Sequence, residues 1–93
     1  MKKILIIEDE AAIRRVLKKI ISEENEGYEV AEASDGLGGL EMILNNDYDL
    51  VLCDIKMPKM DGVEVLEKVK KVKPEIPIVM ISGHGDLDTA VNT

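Results

Sequence analysis

The sequence holds a single cysteine, Cys53, which excludes an internal disulfide and suits a reducing compartment, so a cytoplasmic location is expected. Its place inside an apolar run reads as a small buried hydrophobe rather than a reactive thiol. No apolar run approaches the roughly 20 residues of a membrane span. No signal-peptide pattern opens the chain either. Positive charge is scarce: 12 lysines and arginines face 19 aspartates and glutamates, for a formal net charge of −7. A surface of that sign repels phosphate backbones and anionic lipid, which excludes nonspecific nucleic-acid or membrane binding. The basic residues that do cluster (Lys2 and Lys3; Arg14, Arg15, Lys18 and Lys19; Lys68 to Lys73) are interleaved with acids and read as solvated helix faces. Repeats, linkers and low-complexity tracts are also missing. What remains is 93 residues, 45% hydrophobic and 33% charged, sized for one small globular domain.

Four short apolar segments punctuate the chain. Ile4 to Ile7 is a continuous run that ends in Glu8, Asp9 and Glu10, and Leu50 to Cys53 is a second that ends at Asp54. Both read as strands buried on two faces. Tyr28 to Ala33 is broken by Glu29 and Glu32 and suits an edge strand. Pro77 opens the last run, Ile78 to Ile81, which stops at Ser82 and Gly83. Between them, apolar residues recur at helical spacing. The first helix spans Ala12 to Ile21 with Ile13, Val16, Leu17, Ile20 and Ile21 on one face. The second follows a cap at Ser34 or Asp35 and presents Leu37, Leu40, Ile43 and Leu44, weakened by Gly38 and Gly39 at about 1 kcal/mol each. Asp61 caps a third, with Val65, Leu66, Val69 and Val72 inward and Pro74 ending it. Asp86 would cap a fourth bearing Leu87, Ala90 and Val91. The order β-α-β-α-β-α-β-α implies right-handed crossovers and a parallel sheet with helices on both faces.

In a parallel sheet every strand's carboxyl end lies on one edge, where ligands bind in open α/β folds. That edge collects Glu8, Asp9, Asp54, Ser82 and Gly83. If the first strand neighbours the third, three carboxylates crowd together, and such crowding raises a pKa or calls for a cation. Mg2+ suits it, since that ion takes carboxylates, waters and phosphate oxygens. Phosphoryl transfer is the chemistry such a site supports: an aspartate can attack phosphorus, and the Ser82 hydroxyl and Gly83 amide could donate hydrogen bonds to the product. An acidic rim without a specific ion, and a serine that merely turns the chain, are the plainer alternatives.

The segments IIEDE at 6–10, LVLCDIKMPKMDG at 50–62 and PIVMISG at 77–83 resemble the receiver domain of bacterial two-component response regulators, over essentially the whole chain. The resemblance implies a flavodoxin-like fold with strand order 2-1-3-4-5, a chemotaxis receiver of this family being a standard example. It further implies that Asp54 is the phosphoacceptor, served by a sensor histidine kinase. Asp9 would bind Mg2+ directly, Glu8 through water, and Lys56 through its backbone carbonyl. Ser82 matches the switch hydroxyl. Lys56 and His84 fall where the family tunes the lifetime of the phosphoryl group, although His84 also reads as an ordinary loop residue. The wording SGHGDLDTAV is similar to receivers of the nitrogen-regulation type, which precede an ATPase and a DNA-binding module; this segment itself would not bind DNA.

The sequence departs from the family in having no fifth strand and helix, so residues 1–93 read as a receiver domain truncated at its carboxyl end. The lysine that strand carries has no evident substitute. The last strand would then keep an unpaired edge, open to dimerisation or swapping. Two other function classes remain beside the signalling module. An aspartate-nucleophile phosphatase of the haloacid-dehalogenase type wants an aspartate two residues past the nucleophile, where Lys56 stands. A phosphorylation-independent binding or dimerisation module would keep the fold without the switch.

Overall fold

The structure, a computed structural model, describes residues 2–24 and 27–81. Seven elements form there: β1 (Lys2–Ile7), α1 (Ala11–Glu24), β2 (Tyr28–Ala33), α2 (Gly36–Asn45), β3 (Leu50–Asp54), α3 (Gly62–Val72) and β4 (Ile78–Ile81). Among the described residues the strands build one parallel sheet in the order β2-β1-β3-β4, a flavodoxin-like α/β arrangement with β2 on the edge as expected. The expected fourth helix, with Asp86 as its cap, lies outside the described residues.

β1 and β3 each have a neighbour on both sides, and in β1 Ile4, Leu5, Ile6 and Ile7 are all 5% exposed or less. Leu5, Ile7, Val51 and Cys53 share the sheet face that meets Ile43 of α2 and Val65 and Val69 of α3. Each of the aliphatic side chains among these stabilises the fold by about 1.5–3 kcal/mol through burial. The opposite face carries an in-register row, Glu32, Ile6, Leu52 and Val79. Helix α1 lies mainly over β1 and β2. Cover therefore fades along the row: Ile6 is buried, Leu52 half-buried, and Val79 is 47% exposed. Strand β3 is thus fully buried on the face of Val51 and Cys53 and only partly on the other, which corrects the expectation of a strand buried on both faces.

The helices use narrower faces than their apolar periodicity suggested. In α1, Ile13, Leu17 and Ile21 are half-buried while Val16 and Ile20 face outward. In α2 the buried positions are Gly36, Gly39 and Ile43, with Leu37 and Leu44 exposed. In α3 they are Gly62, Val65 and Val69, with Val72 exposed. Glycine explains the shift. A β-carbon on Gly39 would lie 2.4 Å from Ile7 Cδ1, so α2 comes closer to the sheet than any side chain at that position would allow.

Both cap expectations resolve in the hydrogen bonds. The Asp35 carboxylate, and not Ser34, accepts from the Gly38 N–H at 2.6 Å, and the Asp61 carboxylate accepts from the Glu64 N–H at 2.9 Å. Lys73 is not a solvated residue of a basic face. Its ammonium donates to the carbonyls of Ile43 (2.8 Å) and Asn46 (3.0 Å), tying the end of α3 to the carbonyl end of α2.

Candidate functional site

Register brings the acidic residues together. Ile7 pairs with Cys53 across β1 and β3, so one residue further along each strand stand Glu8 and Asp54, at the carboxyl edge of the sheet. Ligand oxygens of Glu8, Asp9 and Asp54 all lie within 4.8 Å of one another. Glu8 and Asp54 are fully buried and Asp9 is half-buried. Three carboxylates so disposed are a costly arrangement for a sheet edge unless something positive offsets their charge.

Local bonds hold the turn between β1 and α1 in place. The Glu8 N–H donates to the Ala33 carbonyl at 3.1 Å, extending the β1–β2 ladder by one residue. Glu8 Oε2 accepts from the Glu10 N–H at 2.9 Å. The other oxygen, Oε1, is buried and has no hydrogen-bond partner, and the same holds for Asp9 Oδ1. Buried oxygens of this kind are rare in folded proteins and call for an explanation. Burial pushes the Glu8 carboxyl from its ordinary 4.5 up to about 7 against the lowering effect of the Glu10 N–H; the Asp9 carboxyl, placed to share its proton, and the charges of Asp54 and Asp9 push upward as well. Donors that are all carboxylate oxygens, with orphaned lone pairs among them, match the hard-ligand preference of Mg2+.

The loop after β3 forms the mouth of the site. An open cleft of about 420 Å3 is lined by Asp9, Ile55, Lys56, Met57, Pro58 and Asp61. The Ile55 N–H donates to the Ile81 carbonyl at 3.0 Å, and the Ile55 carbonyl accepts from the Gly62 N–H at 2.9 Å, so the residue after Asp54 is tied to both β4 and α3. Pro58 then turns the chain, followed by Lys59 in the left-handed region at φ 68°, the order that a type II turn uses. Met57 points back into the core. Cys53 sits beneath Asp54 with its thiol pushed up to about 12, first by burial and then by the charges of Asp54, Asp61 and Glu8. It is a packed core group, as read from the sequence.

Of the residues expected at the site, Glu8, Asp9 and Asp54 meet, and Lys56 borders the same cleft. Ser82, Gly83 and His84 lie outside the described residues; Ile81, just before them, pairs in register with Asp54. Two contributors were not foreseen. Asp61, read only as a helix cap, also lines the cleft. Arg14, read as part of a solvated basic face, donates from Nη1 to the Glu8 carbonyl at 2.7 Å. Only its i+6 spacing from Glu8, across a tight turn, could have hinted at that contact.

A family model described as the response regulator receiver domain matches residues 4–93. The transcriptional regulatory protein ZraR of Klebsiella oxytoca is 39% identical over 88 residues, which is 95% of this chain and 19% of that protein. Sporulation initiation phosphotransferase F of Bacillus subtilis is 37% identical over 87 residues, covering 94% of this chain and 68% of the relative. The chain therefore spans about a fifth of the first relative and about two thirds of the second. Among solved structures, response regulator TrrA of Thermotoga maritima in complex with Mg(2+)-BeF superposes with a TM-score of 0.85 at 36% identity, covering 96% of this chain and 76% of that one. TrrA in complex with the histidine kinase ThkA superposes with a TM-score of 0.82 at 38% identity, over 91% of this chain and 72% of the other.

Proposed function

The chain belongs to the response regulator receiver family, and from that premise we propose that it is a phosphoacceptor module in which Asp54 takes a phosphoryl group from a sensor histidine kinase. The observation that carries the reading is the convergence of Glu8, Asp9 and Asp54 within 4.8 Å, with two buried carboxylate oxygens lacking protein partners. In the step itself, an Asp54 carboxylate oxygen attacks phosphorus as the bond to the donor nitrogen breaks. The departing imidazole keeps the electron pair and takes a proton. Little covalent chemistry falls to the protein, whose task is placement and charge neutralisation.

Asp9 and Asp54 would hold Mg2+ directly, Glu8 through water and Lys56 through its carbonyl; bound there, the ion neutralises the phosphoryl oxygens. The chain's own contribution is to fix the nucleophile. Ile55 is tied on both sides, Asp54 is buried, and the open cleft beside it is lined by Lys56 and Pro58. Ser82 would turn its hydroxyl toward the new phosphoryl group, with the Gly83 amide beside it. In this reading the module works in the cytoplasm as a switch rather than a turnover enzyme, catalysing only its own phosphorylation and slow dephosphorylation. Its output is transcriptional, through an effector of the ATPase and DNA-binding kind.

The test is mass spectrometry after incubation with Mg2+ and a small phosphodonor such as acetyl phosphate. One phosphoryl group is expected on the wild-type chain and none on Asp54→Asn or in excess EDTA. Labelling that survives Asp54→Asn would remove the proposal.

A further inference from the structure

The Arg14 side chain anchors the acidic turn from outside. Arg14 Nη1 donates to the Glu8 carbonyl at 2.7 Å, while its Nε lies 3.4 Å from Glu32 Oε1 on β2. The Arg14 side chain is 19% exposed, against 51% for Lys18, whose partner is the same glutamate's other oxygen at 3.4 Å. Its backbone is set as well, because the Arg14 N–H donates to the Glu10 carbonyl at 3.1 Å in the first turn of α1. One guanidinium thus bridges the edge strand and the peptide that joins Glu8 to Asp9.

That peptide decides where two carboxylates point. Its atoms are coplanar, so fixing the carbonyl direction also fixes the direction in which the Asp9 main chain continues. The Glu8 N–H is already held by Ala33 and Glu8 Oε2 by Glu10. Arg14 adds a restraint at the Glu8 carbonyl, and a charged donor makes it a strong one. Without it, repulsion among Glu8, Asp9 and Asp54 would be free to rotate the turn and spread the oxygens that now lie within 4.8 Å. A planar fork can satisfy two acceptors from separate nitrogens, which a lysine ammonium cannot do in the same geometry.

We infer that Arg14 is a positioning residue for the divalent-cation site, acting through the Glu8–Asp9 peptide and itself oriented by Glu32. The inference rests on reading Glu8, Asp9 and Asp54 as that site. Loss of a partner that orients metal ligands typically weakens metal affinity by about 10–100-fold. Arg14→Met is therefore expected to weaken Mg2+ binding at least roughly tenfold, with Arg14→Lys in between. Lys18→Met, which also removes a cation from Glu32, should bind Mg2+ as the wild type does.

The experiment is calorimetric titration of the full chain with Mg2+ at mildly alkaline pH, paired with thermal melting of each variant without metal. Weakened binding in Arg14→Met, partly rescued by Arg14→Lys, with Lys18→Met unchanged, supports the inference. Equal Mg2+ affinity in Arg14→Met and wild type overturns it and leaves the cation site standing. So does a matching loss of affinity in Lys18→Met, which would reduce Arg14 to a general electrostatic role. Should Arg14→Met melt below the titration temperature, the Arg14→Lys and Lys18→Met pair decides. A wild-type chain that binds no Mg2+ removes the cation site itself, and the inference with it.

Discussion

Gly62, the first residue of α3, lies directly against the main chain of Asp54: a β-carbon there would sit 2.2 Å from the Asp54 carbonyl oxygen and 2.6 Å from Met80 Cε. Met80 could bend away, but a backbone carbonyl at the end of a central strand cannot. Gly62→Ala must therefore shift α3 or the Asp54 peptide. Overpacking of this kind costs about 1–3 kcal/mol, and urea unfolding should show it. Binding of Mg2+ and beryllofluoride should weaken in the same variant, because the displaced peptide carries the nucleophile. Gly38→Ala is the contrast, since its β-carbon would meet only the flexible Asp35 carboxylate. Better helix propensity and mild crowding of that carboxylate then oppose each other, and stability should stay within about 1 kcal/mol of wild type.

Glu8 predicts an unusual pH dependence. Its carboxyl sits near 7 in the folded chain against an ordinary 4.5, chiefly because it is buried. Between those values the native state keeps a proton that the unfolded chain has released. Stability must then fall as pH rises through that window and level off above it. Metal-free wild type should lose melting temperature from pH 5 toward neutrality relative to Glu8→Gln, which has no proton to lose. Mg2+ competes with that same proton, so its affinity should weaken as pH drops below about 7. Parallel melting curves for the two proteins at every pH would contradict the burial argument.

Cys53 should behave as an unreactive core group. Its thiol is pushed up to about 12 and is fully buried, so thiolate is almost absent near neutrality. A disulfide reagent such as DTNB should label the native chain only as fast as β3 opens, and added urea should raise the rate in step with unfolding. Fast labelling in native buffer would show β3 to be less well packed than the full burial of Cys53 implies.

Strand boundaries were the most legible feature of this chain. Continuous apolar runs at Ile4–Ile7, Leu50–Cys53 and Ile78–Ile81 have few other uses in so small a domain, and the structure starts or ends strands within two residues of each. The acidic cluster was legible for the same reason, since parallel strands deliver their carboxyl ends to one edge. Helix faces were less so. Periodicity groups Val16 with Ile20, or Leu37 with Leu44, but says nothing of how closely each helix approaches the sheet. Here the closest approaches belong to Gly39 and Gly62, which a hydropathy pattern passes over. Arg14 and Lys73 were hidden differently: charge suggests solvent, while their long stems let the charged ends reach carbonyls of neighbouring elements.

The acidic cluster should be stabilised by losing its own nucleophile. Asp54 is buried beside Glu8, and its charge is one of the causes that raise the Glu8 carboxyl. Asparagine has the same shape and keeps an oxygen acceptor, so Asp54→Asn removes repulsion without opening a cavity. Metal-free Asp54→Asn should melt above metal-free wild type, and the Glu8 carboxyl should titrate below 7 when followed by NMR. Mg2+ should reverse the ranking: the wild type gains stability by mass action, whereas the variant, short of one anionic ligand, gains far less. This crossing of the two melting temperatures separates a site built for a cation from carboxylates that merely cap strands. In the latter case Asp54→Asn would shift stability alike with and without metal, because nothing in the cluster would be waiting for a positive charge.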